Sequence, residues 1–537
     1  MTGRRGVQLI VAAVIAVLLL QVLVSLPFEY NRVDDYSTRF TAVTLDDAWI
    51  HFVYARSLSR GQGFSYNPGQ PESGTTSPLW CALIAPFLWF GISPCTASKI
   101  LGILAASALA LLLGRMASRL MSRPFGILAA GLVIFDPLFG FARLSGMEVM
   151  LASALIVAAV ERLLAGRSRS ASVLAGLAVW ARPDSIMLAV LAVVLLLAAW
   201  LDGRGRGKSG RQVSWRDALI VAAGPAIAAA AWAGYCYWAT GRWLPTTYYI
   251  RGQGIAQQLM NLETAKIVLR ELQDGSPMFS GAWKLVWAGI GGVALLISAF
   301  TGSRKRDWMR AVLVLLPAAY LLLLGGRVIN LIGGSFTGNR YVIPVFPFMI
   351  LWAMYPLYLL SEWAAKRLKP NRAPAVGWIA ALAVAVGLAM TPGHTLQRYR
   401  ELQHEFTMSA LNLEGLHIDI ARWINLNAGG DAVLALYDAG AIKYLTDRET
   451  IDIGGLNNTR YEIYDESVMD EDPARLERFC SELESMADML IIYPNHYPTL
   501  AERYREGEVY RAVVDQPVIS LGDTLIVYDL GQTDQPK

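Results

Sequence analysis

From its N-terminus to about residue 391, the chain returns repeatedly to apolar runs long enough to cross a bilayer. No other feature constrains the fold as hard. In hydrocarbon every backbone N–H and C=O must be satisfied within the protein, so such runs fold as helices. Eleven spans are expected, at about 7–27, 97–118, 124–141, 147–164, 170–182, 184–201, 217–239, 281–300, 310–326, 341–361 and 374–391. With 54% hydrophobic and only 17% charged residues, the chain falls outside the range of soluble globular enzymes. From residue 392 to 537 the composition becomes ordinary. There LHIDIARWINLN and DPARLERFCSELESM have helical spacing, and AVLALY, DMLIIY and TLIVYDL suit short buried strands. The expected fold is a polytopic α-helical membrane protein, residues 1–391, carrying a C-terminal α/β domain, residues 392–537.

Charge sets the expected orientation. Basic clusters at Arg115, Arg119 and Arg123, at Arg162, Arg167 and Arg169, in GRGRGKSGR, in SRKRDWMR and in AAKRLKPNR all fall on one side of an eleven-span chain. That side is the cytoplasm if the N-terminus is cytoplasmic, which puts the C-terminal domain outside. The first run has a basic start and no small-residue cleavage site, so it is expected to stay as an anchor. LWCALIAPFLWFG, residues 79–91, is too short to span and is expected at the interface. The basic residues carry no nucleic-acid signal, and four scattered cysteines imply neither a disulfide framework nor a metal cluster.

The polar residues of interest then gather in the outer loops. In the first, residues 28–96, Asp46 and Asp47 precede an amphipathic run, and His51 follows them. Asp46 reads either as a helix cap or as a general base whose proton affinity is raised by partial desolvation. His51 reads as a ligand or as a packed polar residue. Glu148, in FARLSGMEVM, faces either a cavity or its neighbour Arg143. Arg182, in VWARPDSIML, forks either a phosphate or Asp184. Trp243, Tyr248, Tyr249 and Arg251 lie in WATGRWLPTTYYIRGQG, where aromatics stack on sugars or sit in the interfacial belt. Arg340 and Tyr341 end GGSFTGNRY, with the arginine either snorkelling or binding an anion. The five histidines show no metal-ligand spacing, and there is no Walker, nucleophile-elbow or dinucleotide motif.

The order of these motifs resembles the GT-C membrane glycosyltransferases, and most closely the mycobacterial terminal β-1,2 arabinofuranosyltransferases. DDAWIHFVYARSL, GQGFSYNPG, ESGTTSPLW, SGMEVML, ARPD, TGRWLPTTYYIRGQG, GGSFTGNRYVIPVFPF and IDIGGLNN are similar, in that order, to the segments of that family. Two positions depart from it: Ser335 stands where the family carries Asp, and Arg251 where a Lys often follows. The tail is also shorter than in the mycobacterial enzymes. The resemblance implies an inverting enzyme on the outer face of a bacterial plasma membrane, moving a sugar, arabinofuranose first, from a polyprenyl-phosphate donor to a cell-envelope glycan. It implies Asp46, Asp47 and Glu148 as the acids of the site and Arg182, Arg340 and Arg251 around the donor phosphate. His51, Trp243, Tyr248, Tyr249 and Tyr341 are then substrate contacts. No cofactor is demanded, and a divalent metal is left open. The expected partners are the lipid donor, the glycan acceptor and the bilayer. A transporter or flippase of lipid-linked glycans is the alternative, and it would show inverted halves with charges near the midplane.

Overall fold

The computed structural model describes residues 2–29, 43–201, 214–251, 282–301, 308–324, 340–367, 375–382, 392–459 and 472–531, with short pieces at 32–33, 36–37 and within 266–279. The protein is a polytopic helical membrane protein with a C-terminal α/β region. Among the described residues, five helices are long and apolar enough to cross a membrane: Val11–Phe28, Pro94–Leu120, Trp215–Thr240, Ala282–Thr301 and Ile343–Ala365.

The expected count of eleven spans is therefore not reached by helix length alone. The run expected at 124–141 is two helices, Arg123–Phe135 and Pro137–Leu144, bent by 56°. The cause is local: the Asp136 carboxylate accepts from the Leu138 N–H at 2.9 Å, and Pro137 takes the first helical position, so a new helix starts there. The run at 170–182 ends at Ala181 because Arg182 precedes a proline and is extended, at φ −151° and ψ 122°. Val149–Leu164 and Ser168–Ala181, of 16 and 14 residues, are shorter than a perpendicular crossing requires. Pro78–Trp89, in the 79–91 run, is a 12-residue helix. Most of the last expected span, 383–391, lies outside the described residues, as do most of the basic loops at 202–213, 302–307 and 368–374.

By packing, the chain forms two compact units. The first unit comprises residues 1–28, 99–230 and 254–403. Pro392–Gln403 belongs to it because Tyr399 packs edge-on against Phe28, with centroids 5.9 Å apart. Small residues let its helices approach closely. A Cβ on Gly176 would meet the Gly224 carbonyl oxygen at 2.8 Å, and one on Gly291 would meet that of Trp352 at 1.8 Å.

The second unit comprises residues 29–98, 231–253 and 404–537, so the first loop and the 231–253 segment fold with the tail. Its five-stranded sheet has the order Thr450–Asp452, Leu434–Leu436, Met489–Ile492, Thr524–Asp529, Glu508–Val513. The first three strands are parallel and the last two antiparallel to their neighbours. Phe479, Cys480 and Leu483 of the Pro473–Met486 helix pack with Leu490, Ile492, Ile526 and Tyr528 in its core. Helical spacing is expected over 416–427 and 472–486 between short apolar strands, and the helices lie at Asp419–Asn427, after the Glu414–Ile418 π-helical turn, and Pro473–Met486.

Candidate functional site

The Asp46–Ser59 helix starts with the acid pair, but neither acid is its cap. Leu45 takes the N-cap position without a side-chain bond, and Asp46 and Asp47 occupy the first turn, where their charge suits the helix dipole. Asp46 instead accepts from the far end of the chain. The N–H groups of Gly440 and Ala441 donate to its Oδ2 and Oδ1 at 2.8 and 2.7 Å. These amides open the Ala441–Thr446 helix, so Asp46 satisfies two donors that the helix itself cannot. Part of Asp46 stays accessible.

Behind those amides lies a group of titratable side chains. His417 Nε2 is 2.8 Å from Asp438 Oδ2, and the Tyr493 hydroxyl donates to the same oxygen at 2.7 Å while lying 3.2 Å from His417 Nε2. His417 sits on a π-helical turn, Glu414–Ile418, and is buried. Burial raises the Asp46 pKa to about 7; the His417 charge opposes this, Asp438 adds to it, the Ala441 amide opposes it and Asp47 adds to it. Burial lowers the proton affinity of His417, but the Asp438 hydrogen bond and charge, with the charge of Asp46, overcome that and leave it raised.

Several of the motifs read from sequence converge in this same unit. Tyr66, in FSYN, donates from its hydroxyl to the Ala439 carbonyl at 2.7 Å. Asn67 donates to the Thr450 carbonyl at 2.9 Å and accepts from the Thr450 amide at 3.0 Å. In IDIGGLNN, Asp452 accepts from both the backbone and side-chain nitrogens of Asn457 at 2.9 Å, which aims Asn457 Oδ1 at the Tyr54 hydroxyl, 3.2 Å away. Ser73 and Thr246, from the ESGTTS and LPTT segments, are joined at 3.0 Å through their hydroxyls. His51 is buried, with Nδ1 3.0 Å from Thr75 Oγ1.

The first unit holds a second cluster. Arg182 forks Asp184, with Nη2 to Oδ2 at 2.8 Å and Nε to Oδ1 at 3.2 Å, and its Nη1 donates to Glu148 Oε1 at 3.0 Å. The Tyr320 hydroxyl donates to Asp184 Oδ2 at 3.0 Å. Arg182 and Arg340 lie 5.0 and 5.2 Å from the centroid of the Tyr341 ring. Of the two partners open to Arg182, a phosphate or Asp184, the structure fills the second and adds Glu148. Glu148 is not held by Arg143, whose guanidinium donates to Ser25, Gln21 and the Ile134 carbonyl.

Trp243 stacks on Tyr237 with centroids 4.4 Å apart and is 59% exposed, while Arg242 lies over Tyr249 at 5.2 Å. Tyr248 and Tyr249 meet edge-on. Arg251 closes the Thr246–Arg251 helix; its side chain and the whole of Ser335 lie outside the described residues. Among the described residues, no group of three or more His, Cys, Asp or Glu is placed to hold a metal ion. His417, Asp438, Tyr493 and Tyr320 were not singled out from sequence. Only His417 carried a signal, as one of five histidines in the chain.

Residues 400–528 match a family described as "Domain of unknown function (DUF8728)". No curated protein matches the chain. In structure, the chain is similar over 98% of its length to 99% of ArnT from Cupriavidus metallidurans bound to undecaprenyl phosphate, with 14% identity and a TM-score of 0.55. It is similar over 97% of its length to 75% of the archaeal oligosaccharyltransferase AglB from Archaeoglobus fulgidus, in complex with an inhibitory peptide and a dolichol-phosphate, with 12% identity and a TM-score of 0.52. The arabinofuranosyltransferase AftD from Mycobacteria has a TM-score of 0.42 and 14% identity, over 97% of this chain and 40% of its own. The likeness to ArnT and AglB is one of fold.

Proposed function

We propose that the protein is a GT-C glycosyltransferase that moves a sugar from a polyprenyl-phosphate donor to a glycan acceptor on the outer face of the plasma membrane. The observation that carries this reading is the end-to-end likeness of fold to a protein bound to undecaprenyl phosphate. In this reading Asp46 is the general base. Asp46 is only partly buried, and a proton affinity raised to about 7 suits proton transfer near neutrality. The acceptor O–H bond breaks as the proton moves to Asp46. The acceptor oxygen bonds the anomeric carbon, and the carbon–phosphate oxygen bond breaks with its electrons leaving on the phosphate, which inverts the anomeric centre.

Glu148 acts as a positioning acid that, with Asp184, holds Arg182 beside Tyr341. Arg340, buried against the same ring, and Arg251 are the proposed phosphate ligands. Trp243, Tyr248 and Tyr249 are the proposed sugar contacts. Arabinofuranose is the sugar proposed first, on the order of the sequence motifs, and a divalent metal stays open.

The test offers the purified protein in lipid a panel of polyprenyl-phosphate sugars and follows transfer, with Asp46→Asn as the control. Transfer from one donor, lost in the variant by about a hundredfold or more, is the expected result. Undiminished transfer by Asp46→Asn would remove that residue as the base.

A further inference from the structure

Asp46 meets the tail through two backbone amides, yet its electrostatic surroundings are set by side chains that the proposed reaction does not use. His417, Asp438 and Tyr493 form a closed hydrogen-bonded triangle of 2.8, 2.7 and 3.2 Å. Asp438 stands two residues before Gly440, whose N–H donates to Asp46, so one short turn of chain carries both the triangle and the Asp46 contact. We propose that this triangle is a charge-positioning device: His417, held by Asp438 and Tyr493, governs how readily the first-loop acid gives up its proton. The inference rests on the reading of Asp46 as a base.

The geometry explains why His417 and Asp438 act together. Burial of His417, only 3% exposed, disfavours its charged form, and the bonded anion Asp438 is what favours it. A protonated His417 then favours the ionised form of Asp46, offsetting part of the effect of burial. The π-helical turn displaces His417 from the regular path of the chain between Leu413 and Asp419, in a conformation that recurs at functional sites. The other groups acting on Asp46 are Asp47 on its own helix and Asp438. Asp46 in turn acts on Tyr66 of the Ser65–Asn67 strand and on Tyr493. Of these, His417 alone gains a positive charge in the working pH range. It is a positioning residue and touches no substrate in this account.

The inference is tested on the full-length protein in lipid by two reciprocal titrations. In the first, a hydrophobic carbodiimide that modifies protonated carboxyls reports the ionisation midpoint of Asp46 by peptide mass spectrometry. His417→Gln is expected to move that midpoint, and with it the acidic limb of the transfer rate, upward by about one pH unit. In the second, deuterium exchange at the imidazole carbon reports the midpoint of His417, which is expected to fall in Asp46→Asn, because coupling between two sites is mutual. The second titration needs only the Asn variant, so it decides the matter even if His417→Gln does not fold. Unchanged midpoints in the variants that fold would overturn the coupling. Absence of turnover with every donor, alongside both shifts, would reject the glycosyl-transfer reading and leave the coupling standing.

Discussion

Replacing Gly440 by alanine isolates the contact on which the Asp46 account depends, because it alters no titratable group. Gly440 has a negative φ of −103°, so alanine there is not forced into the left-handed region. The obstacle is space. An added Cβ would lie 2.2 Å from the Asp46 carbonyl oxygen and 2.6 Å from its Oδ2, where ordinary contact begins at 3.4 Å. The first turn of the Asp46–Ser59 helix and the Ala441–Thr446 helix must therefore separate by about 1.2 Å, the difference between 2.2 and 3.4 Å. Added to bonds of 2.8 and 2.7 Å, a displacement of that size along their axis breaks both. Overpacking of this kind costs about 1–3 kcal/mol, which corresponds to roughly 5- to 160-fold faster exchange of the protected amides. Hydrogen-exchange mass spectrometry on the peptide containing residues 440 and 441 reads this directly, with exchange elsewhere in the Leu434–Leu436 and Met489–Ile492 strands unchanged. Transfer activity should fall with it. Exchange at these amides and transfer both at the wild-type level would refute the claim that the tail holds Asp46.

Other outcomes follow from the same contacts. Arg182→Met should destabilise the protein by roughly 3–5 kcal/mol, since it removes the cation bonded to two buried carboxylates, and adding Glu148→Gln and Asp184→Asn should recover most of the loss; thermal unfolding in lipid checks both. Burial, with the nearby Arg56, lowers the Lys443 pKa from 10.5 to about 7, so the folded state binds its proton less tightly than the unfolded chain. The contribution of Lys443 to stability therefore rises with pH from about 7 towards 10.5 and is flat below about 7. The difference in unfolding midpoint between wild type and Lys443→Met should grow in favour of wild type across that window, and a difference independent of pH would contradict the assignment. Tyr54→Phe removes the hydroxyl that donates to Asn457 Oδ1 and accepts from the Gly74 amide, and should cost about 1–3 kcal/mol; a double-mutant cycle with Asn457→Ala should show coupling.

What was legible in the sequence tracks how local the physics is. Apolar length located the helices, and the tail's short alternating elements located its sheet, because both signals lie within a dozen or two residues of each other. The break at Asp136 was equally local, a cap followed by proline, yet the hydropathy of the run hid it. The partners of Asp46 were illegible for a different reason. They are backbone amides nearly four hundred residues away, and a backbone donor leaves no side-chain signature at Gly440 or Ala441. His417 was visible only as a histidine without ligand spacing, since Asp438 and Tyr493 complete its meaning through the fold. Arg182 shows the opposite case. Its neighbour Asp184 was two residues away and already stood as one of its two candidate partners. Motif order did carry long-range information: segments from residues 46–80, 241–251 and 451–458 fold into one compact unit.

Stoichiometry separates glycosyl transfer from movement of the intact lipid. Purified protein in lipid vesicles, supplied with a labelled polyprenyl-phosphate sugar and a glycan acceptor, should release free polyprenyl phosphate and form glycosylated acceptor in equal amounts, with inverted anomeric configuration. Neither product should form with Asp46→Asn. Movement of the intact lipid-linked sugar between leaflets, with neither product formed, would contradict the account and identify a flippase instead.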